Sequence, residues 1–295
     1  MRWRMPHAPL NQKGPTMLTL SEMRTQLDRY WSQSRIGQFQ MCSLKYAFSY
    51  VYKLQPEFTP VALSFGSAVH RTLEAMAHAR KDGAPMSLDD SRALFTVIWQ
   101  RQVQEDDNIR YPEGESAETL QDTGLGIISI FHAHTDPEEE VVAISQALAV
   151  PVITPDGSVL DDPLICELDL VVRDREGEIV IVDWKTAAKR WSKGKADSEI
   201  QPTAFCYAYF QQYGVIPKFR YDIAIKTKTP AFQQEHTTRS VEGFARLGWL
   251  IESVEKAVKA EAFVPQPGFM CASCQYQHAC SVAHQRQPQA LRLAA

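Results

Sequence analysis

Two groups of residues in this chain carry chemistry that ordinary packing does not explain. Asp169 stands within the strand-forming run Leu164 to Arg173, and the apolar run Ile179-Val180-Ile181-Val182 leads straight into Asp183-Trp184-Lys185. Side chains of a strand alternate between its faces, so Ile179, Ile181, Asp183 and Lys185 share one face and Val180, Val182 and Trp184 the other. A carboxylate and an ammonium at the end of so apolar a run are costly to bury unless they are paired or hold a metal ion. The plain alternative is an ion pair at a strand end. The second group is Cys271-Ala272-Ser273-Cys274, with Cys280 after five intervening residues. Two cysteines separated by two residues reach one metal from a single turn, and a third closes around it. Three thiolates leave one ligand to be supplied from elsewhere. Cys166 and Cys206 fall in a strand and a helix and read as small core residues.

The elements that must position these groups follow from periodicity and punctuation. Ser34 to Tyr52 reads as a helix carrying Phe39, Cys42, Tyr46 and Val51. Ala62 to Arg80, Ser87 to Asp107 and Ala117 to His134 are three more, separated by Gly83-Ala84-Pro85 and Tyr111-Pro112. From Val141 the character changes to β-branched and apolar runs: Val141 to Val152, Leu164 to Arg173 and Glu178 to Trp184, the last two joined by the hairpin-type turn Asp174-Arg175-Glu176-Gly177. Strict alternation puts Leu164, Cys166, Leu168, Leu170 and Val172 on one face of the second run and Ile165, Glu167, Asp169 and Val171 on the other. A helix from Ser198 to Tyr213, strands around Phe219 to Lys226 and Ala231 to Thr237, and a helix from Val241 to Ala262 follow. The expectation is an α/β chain with a mixed central sheet flanked by helices. Residues 1–30 form a partly flexible leader, loose up to about Leu18, and residues 31–262 the main domain, with a helical insertion at 86–135. Residues 263–295 form the cysteine segment and tail.

With 295 residues, 44% of them hydrophobic and 22% charged, the chain has enough apolar material for one large core. No run of apolar residues is long enough to span a bilayer, and Met1 to Met17 holds prolines and polar residues where a signal peptide needs an apolar stretch, so a cytoplasmic protein without membrane contact is expected. In a reducing compartment six cysteines are not a disulfide framework, which leaves metal binding as the first reading. The net charge of −4 argues mildly against a nucleic-acid partner. Its distribution does not: Lys185, Lys189, Arg190, Lys193 and Lys195 run without an acidic residue among them, and Arg24, Arg29, Arg35, Lys45 and Lys53 dominate the first part of the chain. Solvated faces are the competing reading of both patches.

An acid on one strand, a hairpin, then an apolar strand ending in Asp-x-Lys resembles the PD-(D/E)XK nuclease superfamily at Glu167-Leu168-Asp169 and Val182-Asp183-Trp184-Lys185-Thr186. Phe65-Gly66-Ser67-Ala68-Val69-His70-Arg71-Thr72-Leu73-Glu74 resembles the first motif of its RecB-like branch. Gln201-Pro202-Thr203-Ala204-Phe205-Cys206-Tyr207-Ala208-Tyr209 is similar to the branch's glutamine helix. The resemblance implies a magnesium- or manganese-dependent DNA nuclease, because phosphodiester hydrolysis needs hard oxygen ligands and an activated water. Asp169, Asp183 and His70 would hold the ion with the Trp184 carbonyl, and Lys185 would prepare the water. Gln201, with Lys189 or Lys195, would hold the scissile phosphate, unless Gln201 merely bonds the backbone at a helix start. Lys189, Arg190, Lys193 and Lys195 would contact DNA. So would Tyr207 or Tyr209, standing in for the family's tyrosine, where this chain has Phe205. A second departure is Cys166 in place of a common glycine.

Phe39-Gln40-Met41-Cys42-Ser43-Leu44-Lys45-Tyr46 resembles the amino-terminal cysteine motif of the iron–sulfur nucleases of this branch, among them the CRISPR adaptation exonucleases and the AddB nuclease end. It implies a [4Fe–4S] cluster on Cys42, Cys271, Cys274 and Cys280 that draws the last segment against Cys42. The rival is zinc held by Cys271, Cys274, His278 and Cys280. The activity so implied is exonucleolytic, on single-stranded DNA or duplex ends. Its rivals are a structure-specific endonuclease and a non-cutting module that binds DNA or a helicase. DNA is the expected partner, with a helicase or a CRISPR or recombination protein as a further one.

Overall fold

The computed structural model describes residues 19–285 apart from 28 and 228, so the leader expected up to Leu18 and the tail beyond 285 lie outside the described residues. Short helices α1 (Leu20–Gln26), α2 (Gln33–Met41) and α3 (Ser43–Tyr46) come first, followed by a π-helical turn over Ala47–Val51. The single helix expected from Ser34 to Tyr52 is broken at Cys42, whose φ of −164° and ψ of 105° are extended rather than helical. The break frees the Cys42 side chain from the periodicity of its neighbours.

A two-residue strand β1 (Thr59–Pro60) opens onto helices α4 (Val61–Lys81) and α5 (Leu88–Glu105), strand β2 (Ile109–Arg110) and helix α6 (Ala117–His134). Ser87 caps α5 through the Asp90 N–H, and Ser116 caps α6 through the Thr119 N–H, which is why both helices start where serine precedes the apolar period. Strands β3 (Glu140–Val150), β4 (Leu164–Arg173) and β5 (Ile179–Ala187) follow, then α7 (Lys195–Ser198), α8 (Ile200–Tyr213), β6 (Lys218–Ile225), β7 (Ala231–Thr237) and α9 (Val241–Lys259). The helix α10 (Gln277–Gln285) was not expected from the sequence. β4 and β5 are joined by the Asp174 to Gly177 turn, where Gly177 takes a φ of 82° and donates its N–H to the Asp174 carbonyl.

β1 and β2 pair with each other in parallel, and the other five strands form one sheet in the order β3-β4-β5-β6-β7, antiparallel except for the parallel pair β5–β6. A parallel neighbour needs a crossover, and α8 supplies it. Two apolar layers sandwich this sheet. On one side α2, α8 and α9 bring Ile36, Phe205 and Phe244 onto Leu164, Cys166, Leu168, Val171 and Ile181. On the other, α4, α5 and α6 bring Phe65, Phe95 and Ile127 onto Leu170, Val172, Val180, Val182 and Trp184. β4 therefore corrects the strict alternation read from sequence. Leu164, Cys166 and Leu168 face one layer, but Leu170 and Val172 face the other, so the strand slips phase around Asp169. Across from it on β3, Ser145 lies between Ile144 and Gln146, which pair with Leu170 and Leu168, and its φ of 45° marks the same irregularity.

Two glycines test the packing in opposite directions. A Cβ on Gly248 of α9 would lie 2.1 Å from the Ile153 carbonyl oxygen, so Gly248→Ala should destabilise the fold by about 1–3 kcal/mol in urea unfolding. Gly37 in α2 has nothing within 4 Å of the same position, and Gly37→Ala should stabilise by about 1 kcal/mol through helix propensity alone.

Candidate active site

Ladder pairing between β4 and β5 runs from Arg173↔Ile179 to Leu170↔Val182 and stops there. The next facing positions are Asp169 and Asp183. Past this point β5 stays paired with β6 through Ala187, so it is β4 that parts from it. The Trp184 N–H donates to Asp169 Oδ2 at 3.0 Å, a side-chain acceptor on the departing strand. Both carboxylates thus sit in the mouth of a fork in the sheet, reachable from both helical layers.

Each layer sends in a side chain. From α4, His70 brings Nδ1 to 3.4 Å from Asp169 Oδ2, with its ring edge-on to Trp184 at 6.0 Å between centroids. From the first turn of α8, Gln201 Nε2 donates to Asp183 Oδ1 at 2.5 Å. Lys185, two residues along β5 on the face of Asp183, places Nζ 2.6 Å from Asp183 Oδ2, over the Tyr221 ring at 5.8 Å. Asp183 is 1% exposed, and its Oδ2 meets that ammonium without receiving an aligned hydrogen bond. Burial pushes the Asp183 carboxyl well up, opposed by Lys185 and reinforced by Asp169. Burial also works against the Lys185 ammonium, but Asp183 and Asp169 outweigh it and keep the amine charged. For His70 burial is again outweighed, by the Asp169 hydrogen bond and the charge of both carboxylates, and its pKa rises.

Among the described residues no three His, Cys, Asp or Glu side chains close around an ion as they stand. The donor types in the fork nevertheless suit a hard divalent cation: two carboxylates and an imidazole, with an oxygen of Asp183 that lacks a hydrogen bond. Gln201 bonds Asp183 with its amide, a partner that neither of the two roles read from sequence includes.

The remaining expected contacts divide. Lys189, Arg190 and Lys193 are exposed on the connection between β5 and α7. Lys195 instead lies 4.1 Å over the Trp191 ring and 4.0 Å from Glu199. The expectation that Tyr207 and Tyr209 touch DNA is corrected, since both are buried, at 3% and 7% exposure. The Tyr207 hydroxyl donates to the Pro151 carbonyl at 2.7 Å and accepts the Ile153 N–H, while Tyr209 packs on Tyr213. Phe205 is likewise core, tilted against Phe219.

The cysteine segment returns to the start of the described chain. Ser43 accepts the Val264 N–H at 2.7 Å, Glu57 N–H donates to the Gln275 carbonyl at 2.9 Å, and Ser49 Oγ donates to the Tyr276 hydroxyl at 3.1 Å. Cys42, Cys271, Cys274 and Cys280 line one cavity of about 300 Å³. Burial raises the Cys280 thiol, and the other three cysteines, close enough to be felt, raise it further. His278 is exposed, does not line that cavity, and is held by its backbone N–H to Glu57 Oε1 at 2.8 Å.

A solved structure shares this architecture. The crystal structure of a Eubacterium rectale protein named as an exonuclease superposes with a TM-score of 0.52 at 15% identity, over 91% of this chain and 93% of that one. SSO0001, also a crystal structure, is 12% identical over 83% of this chain and 93% of its own, with a TM-score of 0.33. Among curated proteins none matches the sequence. The family model described as the PD-(D/E)XK nuclease superfamily matches residues 30–281, a span that takes in the forked strands, His70, Gln201 and all four cavity-lining cysteines, and the chain belongs to that superfamily.

Proposed function

We propose that this nuclease is a divalent-metal-dependent deoxyribonuclease that removes nucleotides from single-stranded DNA or duplex ends. The observation that carries the reading is the convergence of Asp169, Asp183, Lys185 and His70 on one fork, where β4 and β5 part. Asp169, Asp183 and His70, with the Trp184 carbonyl, would hold Mg²⁺ or Mn²⁺, which when bound polarises the phosphodiester and lowers the pKa of water. The protein's own part is positioning and charge. Gln201 fixes Asp183 from one layer, and the Trp184 N–H fixes Asp169 from the sheet. Lys185, kept charged by Asp183, directs its remaining N–H groups at the attacking water and at the charge that grows on phosphate oxygen. The name given to the Eubacterium rectale protein supports an exonuclease over an endonuclease. The non-cutting alternative gains nothing from Phe205, whose ring is part of the core.

The four cysteines would hold a [4Fe–4S] cluster, a group that soft thiolate donors suit and whose role here is to fasten the last segment to the helices around Cys42. The shared cavity favours this set over a zinc site that needs His278. With that cluster the chain would fall in the RecB-like, iron–sulfur branch. No described helix is long and apolar enough to cross a membrane.

Asp183→Asn and Lys185→Met should each lower cleavage of end-labelled linear DNA by roughly a thousandfold. Asp183→Asn should keep the thermal unfolding profile, whereas Lys185→Met, which leaves the Asp183 carboxylate buried without its ammonium, should also lower the melting temperature. Full activity in either folded variant sinks the assignment, and cutting of circular single strands makes the enzyme an endonuclease. Gln201→Ala should cost about 10–100-fold in kcat. Anaerobically purified protein should show visible iron–sulfur absorbance with matching iron and sulfide, lost in Cys280→Ala together with thermal stability. A colourless protein with one zinc and no iron would mean the zinc site instead.

A further inference from the structure

The connection from β5 to α8, residues 188–199, is sewn to the edge strand β7 and the residues that follow it. Its second half is fixed several times over. Thr237 Oγ1 donates to Asp197 Oδ1 at 2.7 Å, and Arg239 Nη2 donates to the carbonyls of Ala196 at 2.9 Å and Glu199 at 3.1 Å. The first half, residues 188–194, carries the exposed cations Lys189, Arg190 and Lys193 and is fixed differently. Among the described residues, a single side chain hydrogen-bonds to it. Gln233 of β7 accepts the Trp191 N–H on Oε1 at 2.9 Å and donates from Nε2 to the Trp191 carbonyl at 3.1 Å.

One carboxamide thus satisfies both backbone groups of Trp191, as a neighbouring strand would. Glu235 Oε1 accepts from the same Nε2 at 2.6 Å, which fixes which way the amide points. The clamp is joined to the catalytic fork through rings. Trp191 packs edge-on to Tyr221 at 4.8 Å between centroids, and Tyr221 lies beneath Lys185 Nζ. A loop bearing three cations, four to eight residues past Lys185, has reason to be anchored only if the position of its charges matters. Exposed cations contribute to binding a polyanion in proportion to the phosphates they reach, and an ordered loop avoids the entropy of being ordered by the ligand.

We propose that Gln233 is a positioning residue. By latching Trp191 it holds residues 188–194 so that Lys189, Arg190 and Lys193 grip the phosphates of the strand whose end enters the fork. This rests on the nuclease reading above. It adds the element that grips the substrate and the residue that sets its place.

The test measures binding of a fluorescein-labelled oligothymidylate across a KCl series with divalent metal omitted, beside steady-state cleavage with Mn²⁺. Each phosphate of a single strand that the loop no longer neutralises should lower the slope of log Kd against log salt by about 0.7. Gln233→Leu should raise Kd and KM roughly tenfold and lower the slope by about 2, with kcat within about twofold of the parent. The joint variant Lys189→Ala, Arg190→Ala, Lys193→Ala should lower the slope equally, and adding Gln233→Leu to it should cost little more, because both changes remove one interaction. If Leu is not tolerated by the fold, Gln233→Asn, whose shorter amide cannot span both groups of Trp191, takes its place. A Gln233 variant with parental Kd and slope, or effects that simply add to those of the three alanines, overturns the latch and leaves the nuclease reading standing. A parent protein that neither binds nor cuts the oligonucleotide overturns both.

Discussion

Asp169 and Asp183 come together because hydrogen bonding between β4 and β5 ends one residue before them. Had the ladder continued, Trp184 N–H would be directed along the sheet plane toward a partner backbone, and the two carboxylates would stand in a closed, two-sided core. The phase slip around Asp169, mirrored by the positive φ of Ser145, turns β4 away at that point. Opening the sheet leaves polar groups to satisfy, and Asp169 takes the Trp184 N–H while Gln201 and Lys185 surround Asp183. A buried charge that lost these partners would be costly, so the fork and its ligands form one cooperative unit.

The rest of the molecule can be understood as support for that opening. Two helical layers are needed because His70 and Gln201 approach from opposite sides, and each is mounted on a helix whose other positions are packed: Phe65, Val69 and Leu73 around His70, and Ala204, Phe205 and Ala208 beyond Gln201. The parallel β5–β6 pair keeps β5 straight through Ala187 while β4 departs, which holds Lys185 in place. One strand over on β6, where Arg220 and Asp222 pair with Val182 and Trp184, Arg220 is buried between Glu139 and Asp222, a second charged group held by its own partners rather than by water. The cysteine segment lies apart from both. It is tied to the helices around Cys42 by hydrogen bonds that span more than two hundred residues of sequence, such as Val264 to Ser43.

What was legible in the sequence was local and periodic. The spans of β4 and of α6 match their patterns, as does the turn at Gly177, because each rests on neighbours within a few residues. Asp183 and Lys185 were legible for the same reason: two charges after four apolar strand residues contradict their own surroundings. The sequence also kept Cys42 in view, although it concealed the helix break there and the helix α10 that carries Cys280.

Tertiary structure alone decided the matters that depend on distance. Period-two reading placed Leu170 and Val172 with Leu168, and only pairing with β3 and packing under α4 reveal that β4 changes faces at Asp169. Tyr207 and Tyr209 read as candidate DNA contacts because the family resemblance implies a tyrosine near Phe205, yet burial by β3 and α9 commits them to the core. Gln201 stood out in sequence as a candidate for the phosphate and Gln233 did not stand out at all; neither pattern shows their partners, Asp183 and Trp191, which lie 18 and 42 residues away. Residue type and spacing determine which groups can do chemistry, since both are written in the chain. Which of those groups meet is set by how strands from distant segments pair and where that pairing stops.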